Sequence, residues 1–327
     1  MMSTRHNIPA APRAAVRRRS WARVCALTAA VACSCLFQSH SCLGGAVSVS
    51  AIFTSDADAY RQAWNGFKNE LAAENVTVSA SEFILADDNG KEIAAEINRQ
   101  RPDLALTFGT KASRLATGSI ARTPVIFCMV LDPTGMFHSN TAGIMMEVSP
   151  ETKLQMIRRI LPGARRIGTI YSSETFLAYA KILEECDQMG MSLVAKKVDS
   201  ENDLAAAVKE ISRKSDCLVM LPDTKIFTPA SVKAVLLESL RAKFPVIGLS
   251  SHYTKAGALF SLDSDYNEVG KQAAEIAVRI LRGEDPRNIA PELPRKCRLS
   301  VNLAVAQRMG IDIPARVMKE AIEVYGS

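Results

Sequence analysis

Leu104-Ala105-Leu106-Thr107-Phe108-Gly109-Thr110-Lys111-Ala112-Ser113 is the stretch on which the fold turns. Its first five residues form an uncharged, largely apolar run of strand length, and the glycine opens straight into a helical pattern. A strand that is apolar on both faces has to be buried on both. That is the habit of a central strand in a parallel sheet covered by helices. Val125–Val130 repeats the pattern one unit later.

The same alternation extends in both directions. Val47–Phe53 reads as a strand, followed by a helix in which Ala63, Phe67 and Leu71 fall four apart. The next strand covers 76–85, and Ile93 with Ile97 marks the next helix. A second series opens at Ser149-Pro150, a cap and first-turn pair for a helix carrying Leu154, Ile157 and Leu161. Strands are predicted over 167–171, 193–197, 217–221 and 246–249. The helices between them carry Ile182 and Cys186, then Leu204, Val208 and Ile211, then Val232, Leu236 and Leu240 after Thr228-Pro229. A strand over 258–262 leads into a helix with Val269, Ala273, Ile276 and Ile280 that Gly283 closes. Pro286, Pro291 and Pro294 mark a connecting stretch, and Pro314 opens a final helix. The expected fold is α/β: two Rossmann-like lobes, each a parallel sheet flanked by helices, with a cleft between them. Ligands of such sheets lie beyond the carboxyl ends of the strands.

The net positive charge is concentrated at the start of the chain. Six arginines precede the first acidic residue, Asp56, leaving 34 of the 40 basic residues to balance 34 acidic ones. An uncharged, mostly apolar run from Val24 to Phe37 follows, then small residues ending Gly44-Gly45-Ala46. Residues 1–46 therefore read as a secretory leader, and the run is shorter than the roughly 20 apolar residues that span a bilayer. Cleavage after Ala46 would release an exported, periplasmic protein; acylation at Cys33, after Ala30-Val31-Ala32, would tether it. The neutral remainder argues against nucleic-acid binding, which needs concentrated positive charge. Cys128, Cys186, Cys217 and Cys297 lie beyond Ala46, widely spaced, and buried thiols fit their apolar surroundings better than a disulfide framework.

The predicted strand ends carry small, hydroxylated or acidic residues: Ser55-Asp56, Gly109 to Ser113, Asp132, Ser172-Ser173, Asp223-Thr224, Ser250 and Asp263. Backbone amides and hydroxyls of Thr110, Ala112 and Ser113 at a helix start suit a carboxylate. Asp132 or Asp223 suits an ammonium group, and Tyr60, Phe227 and Tyr253 offer apolar walls, while Phe108 and Phe127 fit the core. Each position also has a plain structural use, as cap or turn.

Enzymatic readings find little support. His138 and His252 are the histidines beyond Ala46, with no Cys-x-x-Cys or His-x-x-x-His spacing for a metal site. Phosphate-binding glycine motifs are absent too. Gly248-Leu249-Ser250-Ser251-His252 is similar to a hydrolase nucleophile elbow, but its fifth residue is His and no later histidine completes the set. No cofactor is expected.

Taken together, Gly109-Thr110 with Ala112, Pro124 to Phe127, Asp132-Pro133, Leu161-Pro162-Gly163-Ala164, Pro222-Asp223, Pro245 to Gly248, Asp265-Tyr266 and Gly310 with Pro314 define a resemblance. The chain resembles the ABC-transporter substrate-binding proteins of the tryptophan- and tyrosine-binding group, with a type I periplasmic-binding-protein fold. The resemblance implies two lobes joined by three crossovers, with residues 47–148 and 258–284 in the first and 149–257 and 285–327 in the second. It implies ligand contacts near Ser55, Asp56, Thr110, Asp132, Ser172, Asp223 and Ser250. It also implies a monomer that captures a small solute, an amino acid with an aromatic or large aliphatic side chain first among them, and hands it to an ABC permease and its ATPase. A sensing module of the same fold and a sugar binder are the alternatives; Trp64 is the one tryptophan beyond Ala46.

Overall fold

Seven residues, Val47–Phe53, form β1, and all but Ser48 are buried. The chain is described here from a computed structural model over residues 46–223 and 225–326. After β1 come α1 (Asp58–Ala73), β2 (Val78–Ile84), α2 (Gly90–Gln100), β3 (Leu104–Phe108), α3 (Thr110–Ser119), β4 (Val125–Val130) and β5 (Thr141–Met145). The five strands make one parallel sheet in the order β2-β1-β3-β4-β5. β3 and β4 are buried at every residue, as their uninterrupted apolar character requires. On one face Phe53 stacks on Phe108 at 4.9 Å between ring centroids, and Trp64 of α1 meets both edge-on.

The second series runs α4 (Pro150–Ile160), β6 (Arg166–Tyr171), α5 (Phe176–Gln188), β7 (Ser192–Lys197), α6 (Leu204–Ile211), β8 (Cys217–Met220), α7 (Pro229–Ala242), β9 (Val246–Gly248), α8 (Ser251–Ala256) and β10 (Phe260–Ser264). Then come α9 (Tyr266–Leu281), β11 (Cys297–Asn302), α10 (Leu303–Met309), α11 (Ala315–Met318) and β12 (Ala321–Tyr325). Seven of these strands form a second sheet in the order β12-β11-β10-β9-β8-β6-β7, with β11 antiparallel to β10. The caps are those of the sequence: Ser149 Oγ accepts the Thr152 amide above Pro150, and Thr228 Oγ accepts the Ser231 amide above Pro229.

Two sequence expectations need correction. The strand near 258–262 does not lie with the first lobe: β10 pairs with β9 and β11 in the second sheet. The chain returns to the first lobe only with α9, which packs on α1, β4 and β5. Strand–helix alternation identifies strands but carries no information about which sheet receives them, and the six-residue α8 is just long enough to bring β10 back beside β9. The region after Pro314 holds one helical turn, α11, followed by β12 rather than a long helix. The leader and the Cys33 reading, like Thr224, lie outside the described residues. No described helix is long and apolar enough to cross a membrane.

α1 and α9 approach each other so closely that neither tolerates a side chain at the contact. A Cβ on Gly270 would overlap the carbonyl oxygen of Ala63, and one on Gly66 the carbonyl oxygen of Asn267. Both obstacles are backbone, so relief requires the helices to separate. Gly270→Ala is expected to cost about 2 kcal/mol or more and to lower the melting temperature by several degrees, measured by circular dichroism. The four described cysteines are free thiols, three of them buried, and burial pushes Cys186 up to about 11. Cys128, Cys186 and Cys217 should therefore resist a thiol-titrating disulfide reagent until denaturant is added.

Candidate functional site

The carboxyl ends of β8, β9 and β10 converge on the segment that leaves the first sheet after β5. Between them lies a cavity of about 250 Å³. Leu131, Met146 and Val148 wall it from the first sheet and the crossover; Phe227, Leu249, Tyr253 and Leu262 wall it from the second. Its polar groups are Glu147, Lys153, Asp223, Ser250 and Asp263. A second, more polar cavity of about 390 Å³ adjoins it, sharing Met146, Ser250 and Asp263 and reaching Asp58 and Gln62 of α1 and Arg298 of β11. The two lie side by side between the sheets, the first mainly apolar and the second mainly polar.

Asp223 is almost fully buried, and its carboxylate is satisfied by its own lobe. One oxygen accepts the Ser172 amide at 3.1 Å and the Thr175 hydroxyl at 2.7 Å. The other accepts the amides of Lys225 at 3.0 Å and Ile226 at 3.2 Å. Burial alone would raise its pKa, but the hydrogen bonds from Ser172, Thr175 and Ile226 outweigh it and hold the carboxyl below its ordinary range. Four donors fill the four acceptor directions of a carboxylate, which leaves none for a ligand's ammonium group. Asp223 instead pins the loop after β6 to the loop after β8.

Other sequence candidates are likewise spoken for. Ser172 is buried and caps the turn after β6 by accepting the Glu174 amide. Ser173 is exposed and donates to Asp199. In the first lobe, Asp56 pairs with Arg61, which also pairs with Glu82. Asp132 is exposed and accepts the Thr134 amide at 2.9 Å. Ala112 and Ser113 are fully buried on the inner face of α3: Ser113 bonds Thr107 and Gly109, and the Ala112 amide donates to Thr54. Thr110 opens α3 after β3, the exposed Ser55 follows β1, and the half-buried Tyr60 lies in the first turn of α1. The Tyr60 hydroxyl lies where a Cβ on Gly109 would be, and this glycine also carries a φ of +87°. Of the named polar candidates, Asp223, Ser250 and Asp263 reach the cavity, along with the expected walls Phe227 and Tyr253; Phe108 and Phe127 are core.

Glu147, Lys153, Tyr266 and Arg298 were not among the sequence candidates. Lys153 had a legible signal: it sits three residues before Met156 and four before Ile157, on the apolar stripe of its helix. Its burial pushes the ammonium pKa down, against the opposing field of Glu147. Asp263 accepts the Tyr266 hydroxyl and the Ser264 amide, both at 2.8 Å, yet burial raises its carboxyl pKa. Arg298, 3.2 Å from Glu323, adds positive charge beside it.

Residues 46–325 match the family described as ABC transporter substrate binding protein. The chain belongs to that family. A tyrosine-binding protein of Clostridioides difficile (strain R20291) is 23% identical over 210 residues, 61% of this chain and 60% of that one. An uncharacterized protein of Rickettsia prowazekii (strain Madrid E) is 22% identical over 208 residues, 62% of this chain and 65% of that one. The chain thus spans about 60–65% of the length of these curated relatives. Among solved structures, a ligand-free, open substrate binding protein with adhesive properties from Clostridium difficile superposes with a TM-score of 0.70 at 19% identity, covering 86% of this chain and 99% of that one. An ABC domain in complex with L-Trp from Streptococcus pneumonia gives 0.61 at 20% identity, covering 86% and 100%. The architecture is that of the type I periplasmic binding proteins.

In this substrate-binding protein the Asp223 network has a pH signature. A carboxyl held below its unfolded pKa contributes stability above about pH 4, and that contribution is lost as pH falls through the folded value. Asp223→Asn should lower the melting temperature at pH 7 by several degrees, since it weakens bonds to donors that are otherwise buried. The gap to the parent protein should narrow between pH 5 and pH 3, read from melts across that range.

Proposed function

We propose that this protein captures an amino acid with an aromatic or large aliphatic side chain outside the cytoplasmic membrane and delivers it to an ABC permease. The observation that carries the reading is the chamber between the sheets, whose walls are apolar apart from a few charged side chains. An amino acid has the same division, a charged head and an apolar tail. The cavity of about 250 Å³ lies near the roughly 300 Å³ lower end of ligand pockets, which suits one such molecule better than a peptide. The names of two similar proteins, one tyrosine-binding and one in complex with L-Trp, point the same way.

Function on this reading is a closure equilibrium. The lobes turn about their crossovers, and the strand ends carrying Ser55, Tyr60 and Thr110 close over a ligand seated among Phe227, Leu249 and Tyr253. Ligand favours the closed form because it contacts both lobes only there; equal affinity for both forms would shift nothing. The basic leader supports export, which places capture outside the membrane and the ATPase inside it.

A thermal-shift screen of the purified protein against the amino acids, sugars and purines tests the reading. A ligand at 100 times its Kd adds about 2.7 kcal/mol, a rise of roughly 5–10 °C. A shift of this size with an aromatic or large aliphatic amino acid is expected. A shift confined to sugars or purines would overturn the amino-acid assignment.

A further inference from the structure

Glu147 and Lys153 are placed in an unusual way for a buried ion pair. Lys153 Nζ and Glu147 Oε1 are 3.9 Å apart, and the side chains are only 8% and 12% exposed. That distance is too long for a hydrogen bond. Neither side chain has a hydrogen-bonding partner among the described residues, although burying charges is costly unless their hydrogen-bonding capacity is filled. Both line the apolar cavity. They come from opposite ends of one short segment. Glu147 lies in the crossover after β5, and Lys153 lies in the first turn and a half of α4, which Ser149 caps.

Two opposite charges held close together but apart, at one end of an apolar chamber, are the complement of a zwitterion. Resting on the reading that the cavity holds an amino acid, we propose that Glu147 and Lys153 are its head-group site, Lys153 receiving the ligand's carboxylate and Glu147 its ammonium. Each inserted ion then makes one charge-assisted hydrogen bond, and the pair is satisfied through the ligand rather than directly. The ligand's side chain runs along Phe227, Leu249 and Tyr253. Asp223, with its acceptors filled, shapes the wall and takes no charge from the ligand. A sugar brings no charge to either group, and a monoamine or a monocarboxylate satisfies one and leaves the other bare. The site therefore selects for free α-amino acids over their amides and esters. Because Glu147 belongs to a crossover and Lys153 to the second lobe, occupancy also ties ligand binding to the hinge.

Calorimetric titration tests this with L-tyrosine, L-tryptophan and L-leucine, each beside the amine that lacks its carboxylate and the acid that lacks its ammonium. The parent protein is expected to bind at least one of the amino acids and to bind both of its truncated counterparts tenfold or more weakly. Lys153→Met should weaken the amino acid at least tenfold while leaving the amine unchanged. Glu147→Gln should weaken the amino acid and leave the acid unchanged. The double variant Glu147→Leu with Lys153→Met removes both charges, so it should fold even where a single variant does not, and should bind the three forms alike. Full amino-acid affinity in that double variant, or a parent protein that does not discriminate among the three forms, overturns this inference and leaves the proposed function standing. A parent protein that binds no amino acid overturns both.

Discussion

One buried amide, that of Gln272, holds the last crossover against the first lobe, and the cleft depends on it. Gln272 lies on α9 and is 1% exposed. Its Nε2 donates to Glu292 and to the Leu293 carbonyl, both at 3.1 Å, and its Oε1 accepts the Arg295 amide at 3.0 Å. The same segment is laced to β5 by the Met145 amide donating to the Glu292 carbonyl and the Glu292 amide to that of Gly143. The remaining crossovers are joined to each other, because Ser264 Oγ donates to the Met146 carbonyl at 2.8 Å. Three passages of chain between two sheets are thus bound side by side. Buried polar groups satisfied in this way fix one geometry, since any other would leave them unpaired.

The cleft's walls follow from that constraint. Met146 and Asp263, each next to the Ser264–Met146 bond, border both cavities. Glu147 and Val148 continue from Met146 into the apolar chamber. The Gly66 and Gly270 contact plays the complementary part, seating α9 on α1 so that its first turn, with Tyr266, stands over the cleft. Residues far apart in the chain meet here because the crossovers, not the lobes, determine their spacing.

The sheets themselves were legible in the chain, and the reason is burial on both faces. β3, β4 and β8 are almost wholly apolar runs that no surface could accommodate, and the Pro and Ser or Thr pairs at 149–150 and 228–229 are caps in the structure as in the sequence. β10, β11 and β12 were not assigned correctly, because pairing partners are chosen by long-range contact rather than by pattern. Candidate site residues divided in the same way. The strand-end rule led to Ser250 and Asp223, and aromatic character to Phe227 and Tyr253. It could not tell that the Asp223 carboxylate is taken up by the Ser172 amide and the Thr175 hydroxyl, since that requires the loops after β6 and β8 to meet.

The sequence by itself determined the class of fold, two α/β series, the positions of most strands and helices, and a leader-like basic start. These depend on local periodicity, capping and charge, which neighbouring residues carry. Tertiary structure alone decided the membership of β10 in the second sheet, the saturation of Asp223, and the meeting of Glu147 with Lys153 in an apolar chamber. Those depend on which distant surfaces exclude water together, and that is settled only when the two sheets and their three crossovers are assembled.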